Sequence, residues 1–366
     1  MRRNAVNVLC YLLVCILVGV TDSCGAGDSR LPTVLTYPAR PLPVKFIAAT
    51  AMTGRFFKPK QERLDIVRSI AQRSKEQGIN AVNLILDWND LESRHGTIDY
   101  DLLDRMITEI KSRNLFCILR IYVNAESNWR AWPAWLSPSQ MYVSKGGTVK
   151  NILPWDSKYQ TSFALFQQNL AAHFILTQIQ PDAYQIAVGG SYGEQVLAGY
   201  DWQAAGLDWS SFLTMLFNAE KKHVDMYLRT LGSISKDHIL MVNSVSSRDI
   251  AREDTLANYA RNKGVTWFES NAGACCLIGR SFGPDNMRML GRFKGGGARI
   301  FLEDESGPWE CLQVSQDSSL SHRVELMRQL QSIYGFTFDA VSIRGDISGD
   351  LNDTAGISAL KHLLGL

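Results

Sequence analysis

The feature that most constrains this chain is an alternation: short, wholly apolar runs of strand length separated by longer amphipathic segments. The runs are "VKFIAAT" (44–50), "AVNLILDW" (81–88), "LFCILRIY" (115–122), "AYQIAVG" (183–189), "HILMVNS" (238–244), "VTWFES" (265–270), "ARIFLED" (298–304) and "DAVSIRG" (339–345). Between them, segments such as 60–78, 99–114, 159–175, 208–232 and 319–335 space their apolar residues by three and four, as helices do. Runs apolar on both faces suit parallel strands covered by helices. Eight alternations in about 340 residues predict an α/β fold: a single (β/α)8 barrel with enlarged βα loops, rather than two domains. The competing architecture is an open doubly wound sheet. Its nucleotide-binding form calls for a Gly-rich phosphate turn after the first strand, where this chain has only "ATAMTGRFF".

The 46% hydrophobic and 20% charged content is that of a globular protein with a large core. A net charge of +2 gives no support to a nucleic-acid partner, which needs a clustered basic face. Arg2 and Arg3 precede the apolar run "VNVLCYLLVCILVGV" and a polar stretch containing "CGA". That pattern predicts a signal peptide over 1–26 and a barrel over 27–366, in a secreted protein or one of the secretory lumen. A signal anchor is the alternative, but 15 residues fall short of the roughly 20 of a spanning helix. No later segment is long and apolar enough to span a bilayer.

Seven cysteines are present, of which Cys10, Cys15 and Cys24 would leave with the signal. Cys117 lies inside an apolar run and reads as a buried thiol. Cys275, Cys276 and Cys311 fall in loop-like stretches, and one bridge from Cys275 or Cys276 to Cys311 is expected in an oxidised compartment. Asn352, in "NDT", is the single glycosylation sequon.

In a (β/α)8 barrel the carboxyl ends of the strands and the loops after them face the active site. Trp88 and Trp267 are expected at the ends of the second and sixth strands. Trp129, Trp132, Trp135 and Trp155 follow the third strand, Trp202 and Trp209 the fourth, and Trp309 the seventh. Flat apolar rings beside carboxylates suit sugars, which offer CH faces and hydroxyls. Hydrolysis of a sugar bond needs two carboxyl groups, one to protonate the leaving oxygen and one to act as nucleophile or as base for water. The strand-end candidates are Asp87, Glu92, Glu194, Glu269, Glu303, Asp304 and Glu305. Metal and nucleotide chemistries find no motif: the chain has no HExxH and no P-loop, so neither cofactor nor metal is expected.

The run "WNDLESRHGTIDYDLLDRMITEIKSRNLFCILRIYVNAESNWRAWPAWL" resembles the second and third strands of clan A glycoside hydrolases, especially the β-galactosidases of families 35 and 42. The shared positions are Trp88, Glu92, Gly96, Asp99-Tyr100-Asp101, Arg120 and Pro133-Ala134-Trp135-Leu136. In that clan the acid/base Glu ends the fourth strand and the nucleophile Glu ends the seventh. The strand count places Glu194 and Glu303 there. At the fourth strand the chain departs from the clan's Asn-Glu pair and reads "QIAVGGSYGE" (185–194), which is also similar to the fourth-strand segment of the inverting β-amylases.

The resemblance therefore implies a glycosidase with Glu194 as proton donor, Glu303 as nucleophile and Glu269 in reserve. Arg120 would keep Glu303 ionised. Trp88, Glu92, Arg120, Tyr122, Trp135, Tyr192, Trp267 and Glu269 are the expected substrate contacts, and an oligosaccharide or glycoside is the expected partner. The reading from another class is a carbohydrate-binding barrel that keeps the aromatic cleft and lacks the acid.

Overall fold

The computed structural model describes residues 36–53, 58–124, 130–143, 150–186, 206–233, 239–243, 250–270, 272–279, 283–304, 311, 317–345 and 349–366; the expected signal peptide lies outside them. Ten strands are described, numbered in chain order: β1 (Phe46–Met52), β2 (Ala81–Asp87), β3 (Phe116–Tyr122), β4 (Met141–Val143), β5 (Lys150–Ile152), β6 (Ala183–Ile186), β7 (Ile239–Asn243), β8 (Trp267–Ser270), β9 (Arg299–Glu303) and β10 (Ala340–Arg344). Eight of them close a barrel in the ring order β1, β2, β3, β6, β7, β8, β9, β10, with every pairing parallel. All eight expected apolar runs are barrel strands. The other two, β4 and β5, form an antiparallel hairpin in the connection between β3 and β6.

The helices are α1 (Lys60–Glu76), α2 (Trp88–Leu91), α3 (Tyr100–Lys111), α4 (Ser157–Thr177), α5 (Trp209–Arg229), α6 (Ile250–Asn262), α7 (Ala274–Gly279), α8 (Gly283–Gly295), α9 (Leu320–Tyr334) and α10 (Thr354–Leu364). Their ends follow local chemistry. Asp99 opens α3 by accepting the Leu102 N–H, and the spacing of Leu102, Leu103, Met106, Ile107 and Ile110 gives it one buried face. Ser319 caps α9 in the same way, and Gly335 ends it at φ 71°, where a side chain would be strained.

Side chains alternate across each strand. Ile47, Ala49 and Ala51 of β1, Val82, Leu84 and Leu86 of β2, and Cys117, Leu119 and Ile121 of β3 face outward into the main core shared with the helices. Their neighbours point into the barrel. Phe46, Ala48, Ala81, Ile118, Ala183, Leu240, Trp267, Phe301 and Ala340 fill its amino-terminal half. Cys117 is the buried thiol expected, and burial pushes its pKa up. The expected bridge forms between Cys275 and Cys311, with Cα atoms 5.1 Å apart, and so ties α7 to the segment after β9.

Candidate active site

The inward-facing residues lie in layers, because adjacent strands of such a barrel are staggered and alternate strands share a level. From the observed register, Ala81, Ala183, Trp267 and Ala340 share one level, and Ala48, Ile118, Leu240 and Phe301 the next. Above them the character changes abruptly. Asn83, Gln185, Glu269 and Ser342 make the third level, and Thr50, Arg120 and Glu303 belong to the fourth. Each of these seven polar side chains is buried.

One half of this polar ring is bonded through Arg120. Its Nη1 and Nη2 each donate to a Glu303 oxygen at 2.9 Å, a bidentate pair. The same Nη2 reaches Glu269 Oε1 at 3.0 Å. Arg120 Nε donates to Gln185 Oε1, and the Gln185 amide donates to Glu269 Oε2. One guanidinium on β3 thus gathers two carboxylates, from β8 and β9. A buried charge is tolerable when it is paired in this way. Glu303 is the last residue of β9 and lies one level nearer the barrel mouth than Glu269.

The backbone that carries Glu303 is held from outside. Asp304 points away from the barrel, accepting from Arg323 Nε at 2.6 Å and from the Ala274 N–H at 3.0 Å. Arg323 Nη2 reaches Asp350 Oδ2 at 2.6 Å. Burial pushes the Asp304 carboxyl up, with Arg323 acting against it. These bonds fasten the end of β9 to α9 and to α7, the helix that also bears the disulfide.

The structure brings Arg120, Glu269, Glu303 and Tyr122 together on the inner face of the barrel. Tyr122 lies two residues beyond Arg120 and packs with Met52, Ile85 and Ala131. Glu194 and Tyr192 fall outside the described residues, as do Trp129, Trp202, Trp309 and Glu305.

Other expected contacts lie elsewhere. Trp88 follows the inward-facing Asp87 and so turns outward; it is fully buried against Trp135, Tyr159, Phe163 and Phe166. Glu92 spends both oxygens within its own loop, accepting from Trp88 Nε1 and from the Gly96 N–H, each at 2.8 Å. Trp135 donates from Nε1 to the Glu92 carbonyl. The acidic loop after the second strand is thus a latch between β2 and α4. Trp267 opens β8 instead of ending it, and packs on Phe46 and Phe301 at the amino-terminal end.

Gln185 was visible in the sequence only as part of a motif. Its role follows from the β3–β6 register, which pairs Ile118 with Ala183 and so sets Gln185 beside Arg120 on the inner face.

The family model for glycosyl hydrolases family 35 matches residues 53–276. That segment contains Arg120, Gln185, Glu194 and Glu269 and stops before Glu303. No curated protein matches in sequence. Among solved structures, the chain is similar to the catalytic domain of a β-amylase from Paenibacillus polymyxa, with 11% identity, a TM-score of 0.61, and 87% of this chain and 97% of that one covered. It is similar to an exo-β-1,4-mannosidase from Opitutaceae bacterium strain TAV5, with 11% identity, a TM-score of 0.56, and 91% and 61% covered. A GH5-4 broad specificity endoglucanase from an uncultured bacterium matches with 10% identity, a TM-score of 0.56, and 87% and 94% covered. At such identities these likenesses establish the barrel alone.

Proposed function

The chain belongs to the glycosyl hydrolases family 35 and is a glycosidase, and from that premise we propose that it cleaves a β-galactoside-like glycosidic bond by double displacement, with Glu303 as nucleophile and Glu194 as proton donor. The observation that carries the reading is the bidentate seat of Glu303 on Arg120 at the carboxyl end of the seventh barrel strand. A nucleophilic carboxylate must be ionised and correctly aimed. A paired guanidinium favours the charged form, and two parallel N–H donors fix the plane of the carboxyl group. Glu269 is held one level lower, which favours Glu303 as the group that meets the sugar.

In this mechanism a Glu303 oxygen attacks the anomeric carbon while the aglycone oxygen leaves with the proton of Glu194. Water then attacks the glycosyl ester and gives its proton to Glu194, and Glu303 departs as carboxylate. Arg120 keeps one N–H on the carbonyl oxygen of the ester and regains the second when the carboxylate is restored. The role of Glu194 rests on its place eight residues beyond β6, in the connection where the clan carries its acid. The disulfide, the apolar leader and the sequon at the exposed Asn352 support a secreted glycoprotein.

Two substitutions test the assignment. Glu303→Gln, nearly isosteric but unable to attack, should abolish turnover of an aryl galactoside with the fold intact. Glu194→Gln should spare aryl glycosides with good leaving groups and cripple those with sugar leaving groups, because only the latter need the proton. Equal and small effects from the two changes would remove both residues from the mechanism.

A further inference from the structure

The polar ring has a second half, which the Arg120 network leaves untouched. On β10, β1 and β2 the inward residues are Ser342, Thr50 and Asn83. The Ser342 and Thr50 hydroxyls and both ends of the Asn83 amide are buried without a hydrogen-bond partner among the described residues. Native interiors rarely leave such groups unmatched, since each costs a desolvation penalty that nothing returns.

The sector is also built small. Beneath these three residues the same strands carry Ala340, Ala48 and Ala81, whereas β3, β8 and β9 carry Ile118, Trp267 and Phe301. Toward the barrel mouth lie the buried apolar cluster of Ile85, Met52 and Tyr122 and, on β10, the buried Arg344, the register partner of Thr50. Short polar side chains over alanines fill less of the barrel than Ile118, Trp267 and Phe301 do on the other side, and the three residues are themselves fully buried beneath Met52, Ile85 and Arg344. Two hydroxyls and both ends of an amide call for an occupant that is small and able both to donate and to accept.

We propose that Thr50, Asn83 and Ser342 form an internal water site beside the Glu303–Arg120 pair, and that the water held there positions the Glu303 carboxylate. Ser342 is the register partner of Glu303 on the adjacent strand, and Asn83 lies one strand from Arg120. The site therefore adjoins both members of the pair. Internal water of this kind commonly makes about three hydrogen bonds to buried polar groups, and the four orphaned groups offer that number. The positioning role rests on the reading of Glu303 as nucleophile; the water site does not.

The test joins a crystal structure at a resolution that shows ordered water with kinetics of Asn83→Leu, Thr50→Val and Ser342→Ala. Water within hydrogen-bond distance of Asn83 and of at least one of the two hydroxyls is expected. Each variant should lose about tenfold in kcat, the worth of one hydrogen bond, with KM changed less than about twofold. The acid limb of the kcat/KM profile should move to higher pH, because the carboxylate loses a donor. A merely structural role would lower Tm without moving that limb. Three variants keep the kinetics decisive if one fails to fold. A dry sector, or a direct protein partner for Asn83, overturns the site. Water present with unchanged kcat and pH limb overturns the positioning role. Glu303→Gln, assayed alongside, separates the readings: if it stays active the nucleophile assignment fails, while the density still decides the site.

Discussion

Arg120 and Glu303 stand on the inner faces of β3 and β9 and meet through two N–H···O bonds of 2.9 Å, inside a barrel where both side chains are at most 2% exposed. The pairing fixes the orientation of the carboxyl group and sets a cation directly against it. Arg120→Lys keeps the charge but cannot make the fork. It should lower kcat about a hundredfold, as a misplaced reacting group does. Arg120→Met leaves two buried carboxylates without their cation and should cost about 3–5 kcal/mol of stability, read by denaturant unfolding. Wild-type kcat in Arg120→Lys would show that the fork has no part in the reaction.

With both Glu92 oxygens accepting bonds from Trp88 and Gly96, Glu92 is expected to support the loop rather than to bind the sugar. Glu92→Gln puts an NH2 group where one of two N–H donors must be received. The expected outcome is a loss of about 1–3 kcal/mol in stability with KM unchanged. A raised KM at unchanged Tm would restore Glu92 to the substrate site.

His223 sets a pH dependence of stability. It is fully buried between α4 and α5, with Nδ1 2.7 Å from the Ala219 carbonyl and Nε2 3.0 Å from the Tyr159 hydroxyl. These partners suit the neutral ring, with Nδ1–H donating and Nε2 accepting. Burial lowers its pKa from 6.5 to about 4. Between those values the unfolded chain binds the proton and the folded chain does not. Stability from this group is therefore complete above pH 6.5 and is lost as pH falls toward 4, at a slope approaching about 1.4 kcal/mol per unit. A Tm-against-pH curve should show this decline, and His223→Gln should flatten it. An unchanged slope in the variant would assign the decline to other groups.

The Cys275–Cys311 bridge closes a loop of 36 residues that includes β9. Cys311→Ser should cost about 2–4 kcal/mol. Because the bridge fastens α7, whose Ala274 N–H also holds Asp304, activity should decline at lower temperature in the variant than in the parent. Thermal inactivation half-lives measure this directly, and equal half-lives would show that the Arg323–Asp304–Asp350 bonds suffice without it.

The barrel was legible because both faces of its strands are apolar over most of their length, so eight runs stood out against the helical spacing between them. Glu303 and Arg120 were legible from strand order and from the family pattern. Trp88, Glu92 and Trp267 were misplaced for a common reason: position along the chain was used where strand parity and strand limits decide. Asp87 faces inward, so Trp88 must face out, and the sixth run begins two residues later than its apolar pattern does. Thr50, Asn83 and Ser342 carried no motif. Only their alternation with Ile47, Val82 and Val341 hinted that polar residues enter the barrel, and the register was needed to put them at neighbouring levels.

The claim on which the account turns is that Glu303 forms a covalent bond to the sugar. A 2-deoxy-2-fluoro glycoside with a good leaving group slows release of the glycosyl ester, so the intermediate accumulates and can be located by peptide mass spectrometry. One fluorosugar per chain is expected, carried on Glu303, with turnover of ordinary substrate releasing the product first in the anomeric configuration of the substrate. A label on Glu269, or no label together with an inverted first product, would contradict it.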